Sequence, residues 1–417
     1  MQKTLDPVIN AAAVLKKKTA DWPRLLAYGL VFAFSLWMYY WQDQFIYTDF
    51  HVHMMVAGSF DFADLHSITS RLAYPAWHLC VSILYQLGIP LVWAASLVTS
   101  LAKVATMFLG YLLITVIAGE GVKRKWITLA GFLLMLVTGI LIPGVNDTVY
   151  KGIGSPNVWH NPTQMMVNVS MLLSVPFVSH CWHEFERIYP LKGRSTLLPW
   201  SKAALLMVLL LFSLACKPTF MQALLPACAI FFLIQWIRHP ECSRFFLQMI
   251  LVFLPAALYF LLQYLYYTGV VVPYTSGVEF GVTAQSAWNS IRGILITCAF
   301  PLYALLVCHD KDKGKDAMLN LTLLMVLISA LESMFFRETG LRLGHGNFNW
   351  ASMSASLMLW ILMLGRFIRS FAAYRQESSP RSPGRSLAFG AGFALLLWHS
   401  LSGVYYIVYL FSTNSSF

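Results

Sequence analysis

The chain has 417 residues and a formal net charge of +11, and 58% of its residues are hydrophobic while only 11% are charged. An average soluble domain carries about 25% charged residues, so this composition excludes a soluble globular protein. In a soluble protein the positive charge would suggest a nucleic-acid partner, but here the basic residues lie in short loops between apolar runs. That arrangement indicates orientation in a membrane, with no nucleic acid as partner.

Apolar runs near the bilayer-spanning length of about 20 residues recur from Leu25 to the C-terminus. No small-residue cleavage site follows the first run, residues 25–40, so we interpret it as a retained span. The seven cysteines form no close CxxC pair, which predicts neither a disulfide framework nor a zinc site. We therefore predict an all-α polytopic membrane protein, a single transmembrane domain over residues 1–417 with about 11 helices, in a range of about 10 to 13.

Basic residues set the expected orientation. They form six clusters, at residues 1–24, 123–125, 187–202, 238–244, 311–315 and 366–385. If all six face the cytoplasm, the inner segments hold 22 of the 29 Lys and Arg residues, and the other loops hold six. The positive-inside rule then places the N-terminus inside and the C-terminus outside, with cytoplasmic segments at residues 1–24 and 370–386.

One stretch, residues 74–119, resists this scheme because it holds two apolar segments that break at Gly88-Ile89-Pro90. Two crossings would place the basic cluster at residues 123–125 outside and invert every later loop. We therefore expect one of the two segments to be re-entrant or interfacial, since four later basic loops agree with that topology.

The first predicted outer loop, residues 45–72, carries Asp49, His51 and His53 directly after the first span. A carboxylate followed by two imidazoles can bind a divalent metal. The same groups can act as a general base. Over residues 58–70, Asp61, Asp64 and His66 lie beside the apolar residues Phe60, Phe62 and Leu65, and this mixture predicts a helix on the membrane surface.

The second outer loop leads into a span through Ser155-Pro156-Asn157-Val158-Trp159-His160-Asn161-Pro162-Thr163. Asn161 or Thr163 can cap the helix that begins around Pro162. Capping does not require Trp159 and His160. An aromatic ring beside a polar donor fits a sugar face, but it also fits an interfacial anchor.

The later outer segments contain two further candidates. Lys217 lies in a sharp turn between two spans and departs from the positive-inside pattern, which suggests an anionic guest such as phosphate. The outer loop at residues 333–349 combines three glycines with titratable and amide side chains. Glycine permits close backbone approach to a ligand, and an arginine fork suits phosphate. The candidates in this loop are Glu338, Arg342, His345 and Asn347.

Tyr47-Thr48-Asp49, an acidic motif in the first outer loop followed by many spans with short loops, resembles the GT-C fold of membrane glycosyltransferases. The resemblance covers the overall layout and this one motif. It implies a polyprenyl-phosphate-linked sugar as donor, a glycan or lipid-linked acceptor, and a site on the outer face of a bacterial cytoplasmic membrane. Many members carry two acidic residues close together in this loop, whereas His51 and His53 follow Asp49 here. A divalent cation cofactor therefore stays open.

The resemblance also implies roles for the candidates. Asp49 is the expected catalytic base, and Lys217 and Arg342 are expected to hold the phosphate, with Arg292 in reserve. The expected substrate-binding residues are His51, His53, Trp159, His160, Asn161, Glu338, His345 and Asn347. If a metal binds, Asp49, His51 and His53 are its expected ligands.

Two other classes remain open. A polysaccharide polymerase or ligase of the O-antigen or capsule type also joins lipid-linked sugars, and the loop at residues 333–349 would serve it equally well. A transporter should place charged residues within its spans near the membrane midplane. Only Lys103 does so here, and we rank this class third.

Overall fold

The computed structural model describes residues 22–64, 68, 73–144, 155–267, 277–308, 316–340, 347–377 and 382–412. These residues form α-helices and one small antiparallel sheet. The first seven helices are α1 (Trp22–Phe45), α2 (Asp49–Gly58), α3 (Ala76–Gln86), α4 (Leu91–Ala118), α5 (Arg124–Leu134), α6 (Pro162–Lys192) and α7 (Trp200–Cys216). The later ones are α8 (Thr219–Arg238), α9 (Ser243–Tyr267), α10 (Ala284–Thr297), α11 (Ala299–Val307), α12 (Ala317–Phe335), α13 (Trp350–Gln376) and α14 (Pro383–Ser412).

Helix length and composition agree with an all-α polytopic membrane protein. Seven helices in the described ranges are long and apolar enough to cross a bilayer, namely α4, α6, α8, α9, α12, α13 and α14. The pair α10 and α11, bent by 63° at its break, makes an eighth if it is one span.

This count is lower than the eleven spans that we predict, although a helix lies at each predicted span. The three remaining spans correspond to α1, α5 and α7. Tryptophan and tyrosine lower the hydropathy of α1, α7 has only 17 residues, and α5 has only 11 residues.

The break at residues 88–90 separates helices of very different length. The 11 residues of α3 span about 16 Å, well short of the hydrocarbon core of about 30 Å, whereas the 28 residues of α4 can cross it. Gly88 has a φ of 93°, which glycine adopts without strain. The lengths fit the expectation that only one of the two segments crosses.

The core lies around α4, α6 and α13, and the periphery presents apolar side chains outward. In the span that contains α13, 89% of the most apolar 18-residue stretch is buried within the protein. The corresponding stretch in the span that contains α9 is only 33% buried. Exposed leucines such as Leu251, Leu258 and Leu262 on α9 fit a lipid-facing surface.

After α5 the chain continues without helical structure to Gly144, and side chains from elsewhere bind its backbone. Asn157 donates to the carbonyls of Leu134 and Val137. From α14, Trp398 Nε1 donates to the Leu141 carbonyl over 3.1 Å and His399 Nδ1 donates to the Thr138 carbonyl over 2.6 Å. Irregular backbone at membrane depth requires such partners, because lipid offers none.

Two short strands were not expected from the sequence. β1 (Val278–Phe280) pairs antiparallel with β2 (Phe336–Glu338). In the first outer loop the structure describes a further helix, α2, and it describes the predicted helix at residues 58–70 only at residues 58–64 and at residue 68, which is helical. Residues 59–64 form turns, and most of residues 65–72 lie outside the described residues. Thr48 caps α2 through its hydroxyl and thereby sets the start of that helix.

Candidate functional site

Asp49 occupies the first turn of α2, where the positive end of the helix dipole favours a carboxylate. Its N-cap, Thr48, accepts a hydrogen bond from the Phe50 N–H over 3.2 Å and donates to Gln42 Oε1 over 3.3 Å. Gln42 also donates to the Trp159 carbonyl over 2.8 Å. The end of α1 thus joins the Asp49 turn to the loop that precedes α6.

Asn161 caps α6, as the sequence predicts, and its amide meets Asp49. Oδ1 accepts the Gln164 N–H over 3.0 Å and the Thr163 hydroxyl over 2.8 Å. These two donors fix which end of the amide is oxygen. Nδ2 therefore faces the opposite way and donates to Asp49 Oδ2 over 2.7 Å.

Lys217 reaches the same amide from the turn between α7 and α8. Its ammonium donates to Asn161 Oδ1 over 3.2 Å and lies 3.8 Å from the centroid of the Trp350 ring. The residue is only 5% exposed. Asn161 therefore bridges a carboxylate and an ammonium, and the Trp350 ring supplies a cation–π face to the latter.

His160 lies beside this bridge. Its Nε2 is 4.0 Å from Asp49 Oδ2, and its Nδ1 is 2.8 Å from the Tyr406 hydroxyl. The same hydroxyl accepts the Trp159 N–H over 3.1 Å. The ring of Trp350 stands edge to face with His160 at 6.1 Å between centroids.

Four helices begin at this cluster. Asp49 starts α2, Asn161 caps α6, Thr219 starts α8 two residues after Lys217, and Trp350 starts α13. The unpaired N–H groups and dipoles of helix N-termini attract anions. Together with the Lys217 ammonium they give the cluster a positive field in which a carboxylate or a phosphate is stabilised.

The ionisation of Asp49 follows from these contacts. Partial burial raises the pKa of its carboxyl, but the neighbouring groups outweigh burial and hold this pKa below its usual value; they are His160, His53, Asn161 and Lys217. Burial also lowers the pKa of His160, and it lowers the pKa of His53 to about 4, so both imidazoles are mainly neutral near pH 7. At that pH the Asn161 amide and Lys217 are the main stabilisers of the carboxylate.

Lys217 titrates close to neutrality. Burial lowers the pKa of its ammonium to about 7, and the Asp49 carboxylate opposes this shift. Lys217 is therefore only partly protonated near pH 7, and a bound anion would favour its charged form.

His51 and His53 of the first outer loop have partners other than Asp49, although His53 also acts on the Asp49 carboxyl. His51 Nδ1 pairs with Asp43 Oδ1 at 2.9 Å, and His53 Nδ1 lies 3.0 Å from His78 Nε2. Within the described part of the chain, no group of three or more His, Cys, Asp or Glu side chains is placed to hold a metal ion. The expected ligand set of Asp49, His51 and His53 does not form such a group.

Trp159 lies beneath the cluster rather than at its surface, with 2% of its area exposed. The Lys103 ammonium lies 3.8 Å from its ring centroid and donates to Asn157 Oδ1 over 3.2 Å. Lys103 is itself fully buried. The buried lysine of α4 therefore holds the loop that presents His160 and Asn161.

The glycine-rich loop is described only at its two ends. Glu338 accepts hydrogen bonds from the backbone N–H and the side-chain amide of Asn347, over 3.2 and 2.7 Å. These hydrogen bonds therefore hold the two ends of the loop together. Arg342 and His345 lie outside the described residues. Trp350, three residues after Asn347, packs on Lys217, so the loop ends beside the cluster.

Arg292 lies on α10, half-buried, two residues from Ser290. The hydroxyl of Ser290 contacts α12 through Ala330 and Ser333. Arg292 is not among the groups that act on the Asp49 carboxyl. The described contacts bring Asp49, His160, Asn161 and Lys217 together, and they add Trp350 and Tyr406, which were not among the site residues predicted from the sequence.

No protein-family model matches this chain, and no curated protein sequence matches it significantly.

Proposed function

We propose that the chain is a GT-C-type membrane glycosyltransferase that moves a sugar from a polyprenyl-phosphate donor to a glycan or lipid-linked acceptor at the outer face of the membrane. The observation that carries the proposal is the Asp49–Asn161–Lys217 bridge at the start of four helices. Sugar transfer from a lipid phosphate needs a base for the acceptor and positive groups for the departing phosphate. The bridge holds one of each.

Asp49 is the proposed base. Its depressed pKa keeps it ionised at neutral pH, and about 45% of its side chain is exposed, so an acceptor hydroxyl can reach it. The acceptor oxygen attacks the anomeric carbon of the donor and its proton passes to Asp49. The bond between that carbon and the phosphate oxygen breaks, and polyprenyl phosphate leaves with the bonding electron pair.

Lys217 is the proposed partner of the phosphate. A desolvated phosphate requires a nearby cation, since a buried charge without a partner is costly. The Lys217 ammonium is almost buried, and the N-terminus of α8 begins two residues later. Arg342, in the loop that ends beside this cluster, is the proposed second cation.

Replacing the base tests the reaction. Asp49→Asn keeps the shape of the side chain and removes its charge, so we expect transfer to fall by about 10²-fold or more while the protein remains folded in the membrane. The measurement is transfer of labelled sugar from polyprenyl-phosphate hexoses to acceptors in proteoliposomes, with folding checked by size-exclusion chromatography. Transfer of one sugar per event would separate this enzyme from a polymerase or ligase.

Asp61→Asn is the matched control, because Asp61 is an exposed carboxylate in the same loop. It should leave transfer unchanged. Near-normal turnover of Asp49→Asn would remove Asp49 from the mechanism.

Binding of a polyprenyl-phosphate analogue tests the cation assignment. Lys217→Ala and Arg342→Ala should each weaken binding, and Arg342→Lys should restore it only in part, because a point charge does not reproduce a bidentate fork. Arg337→Ala is the control, since Arg337 is an exposed outer arginine paired with Glu279 at 2.7 Å. If both alanine variants bind as tightly as the parent, the phosphate assignment is wrong.

A further inference from the structure

Tyr406 lies on α14, at the other end of the chain from Asp49, and only 1% of its area is exposed. Its hydroxyl oxygen accepts the Trp159 N–H over 3.1 Å. A tyrosine hydroxyl also has one proton to donate. Among the described residues, the acceptor that this proton meets is His160 Nδ1, at 2.8 Å.

Tyr39, a tyrosine close to Tyr406, does not offer an alternative acceptor. Tyr39 is also buried, and its hydroxyl makes no hydrogen bond to the described residues. If Tyr406 donates to His160 Nδ1, that nitrogen must be the unprotonated one. In a neutral imidazole the proton then resides on Nε2. Nε2 is the nitrogen that lies 4.0 Å from Asp49 Oδ2.

We infer that Tyr406 is a positioning residue that holds His160 as the neutral Nε2–H tautomer, so that the Asp49 carboxylate stays free to accept a proton. The consequence for catalysis depends on the proposed function, but the tautomer itself does not. A proton on both nitrogens would turn His160 into a cation beside Asp49. The resulting ion pair would make the carboxylate a poorer base.

The charged and titratable groups around His160 act in both directions. Asp49 favours protonation of the imidazole, while Lys217 opposes it, and burial in the loop before α6 opposes it as well. The hydrogen bond from Tyr406 adds to the groups that keep the ring neutral, because a donor at Nδ1 blocks the nitrogen that would take the second proton. Trp350 covers the ring edge to face from α13 and carries no charge.

The tautomer is measured directly by ¹⁵N NMR of the full-length protein labelled at histidine, in nanodiscs at pH 7. The His160 signal is assigned as the one that His160→Gln removes. We expect a protonated Nε2 and an unprotonated, hydrogen-bonded Nδ1. A proton on Nδ1, or an imidazolium at this pH, would overturn the inference whether or not the protein transfers sugar.

The positioning role is measured with Tyr406→Phe, which keeps the ring and removes the donor. We expect the His160 titration, and with it the acid limb of the transfer rate, to move to higher pH by about one pH unit, the shift expected for loss of one hydrogen bond. At higher pH the rate should return towards that of the parent. A purely structural role would instead lower the rate equally at every pH.

Two tyrosine variants serve as controls. Tyr405→Phe removes a hydroxyl from the neighbouring, 45% exposed residue of the same helix, and Tyr39→Phe removes a buried hydroxyl close by. Neither should move the His160 titration. If Tyr406→Phe also leaves the titration in place, Tyr406 is not a positioning residue. If the parent transfers no sugar, the proposed function fails while the NMR result still decides the tautomer.

Discussion

The side-chain amide of Asn161 has two separate functions. Its oxygen caps α6 and binds Lys217, and its nitrogen donates to Asp49. A carboxylate at this position would still cap the helix, because aspartate and asparagine cap about equally well. It could not donate to Asp49, and it would add a second negative charge beside it.

The two functions of Asn161 therefore separate by substitution. We expect Asn161→Asp to retain the thermal stability of the parent within a few degrees and to lose most of the transfer activity. Asn161→Ala should lose activity and also lower stability by about 1 kcal/mol, since the cap is removed. Thermal unfolding in detergent and the transfer assay measure the two effects. Full activity in the aspartate variant would show that the amide donor is dispensable.

Lys217 predicts a pH dependence of phosphate binding. Its pKa of about 7 means that the free protein loses this cation as the pH rises. Binding of a polyprenyl-phosphate analogue should therefore weaken above pH 7, by up to about tenfold for each pH unit, as proton linkage requires.

Lys217→Arg is the matched variant, because a guanidinium stays protonated throughout this range. The affinity of this variant for the analogue should not change between pH 7 and pH 9, whether it is higher or lower than that of the parent. Calorimetric titration with the analogue at several pH values is the measurement. A parent curve as flat as that of Lys217→Arg would contradict a neutral-range pKa for Lys217.

At the scale of elements, α14 crosses the irregular chain after α5 at very close range. Gly403 makes this possible, since a Cβ at that position would overlap the Leu136 carbonyl. That carbonyl belongs to backbone, which cannot rotate away as a side chain can. The same helix carries Tyr406 one turn later. The crossing therefore also determines where Tyr406 lies relative to His160.

We therefore expect Gly403→Ala to destabilise the protein by about 2 kcal/mol or more, by forcing α14 away from the core. Gly390→Ala, on the same helix with open space around its Cβ position, should be neutral or slightly stabilising. Thermal unfolding of both variants in the same detergent gives the comparison. Equal stability of the two would mean that α14 and the chain after α5 do not approach this closely.

At the scale of the whole molecule, the basic clusters that the structure describes and the candidate site lie at opposite ends of long helices. α6 begins directly after its cap Asn161 and runs for 31 residues, about 46 Å, before it ends at Lys192. Near that end Glu184 pairs with Arg187 and Lys202. This separation agrees with a cytoplasmic face rich in basic residues and an opposite face that carries the site.

Thiol labelling in intact cells tests this orientation. Ala63→Cys lies in the exposed part of the first outer loop, and Leu191→Cys lies at the far end of α6, where the leucine is 83% exposed. An impermeant maleimide should label only the first. The parent gives the background, which should be low because its cysteines are buried apart from the half-buried Cys80. Labelling of Leu191→Cys from outside would show that the orientation in the membrane is the reverse of the predicted one.

The sequence predicts the features that depend on local pattern. Apolar periodicity and length locate the helices, and the Asn161-Pro162 pair locates the start of α6. The sequence also marks Asp49, His160, Asn161 and Lys217 individually as candidates. Their meeting at one point depends on how helices far apart in the chain pack together, and no local pattern encodes that.

The features that sequence reasoning missed are all long-range. Tyr406 lies in an apolar span, 246 residues from its imidazole partner. A tyrosine in such a span is typical of an interfacial anchor and does not indicate a functional site. The strands β1 and β2 are three residues each and pair across a long interval, so neither shows a period. The predicted span count is not confirmed at α5, where the helix gives way to irregular chain, and the side chains that support this chain come from distant segments.

Lys103 has a consequence for how the protein is made. Charged side chains at the centre of a span oppose membrane insertion by about 2.5 to 3.5 kcal/mol, and α4 carries this one in its interior. Its acceptor, Asn157, follows 54 residues later. At translation rates of about 5 to 20 residues per second, Asn157 is synthesised several seconds after Lys103. Lys103→Met would remove the need for this late partner, so we expect α4 of the variant to enter the bilayer earlier in synthesis.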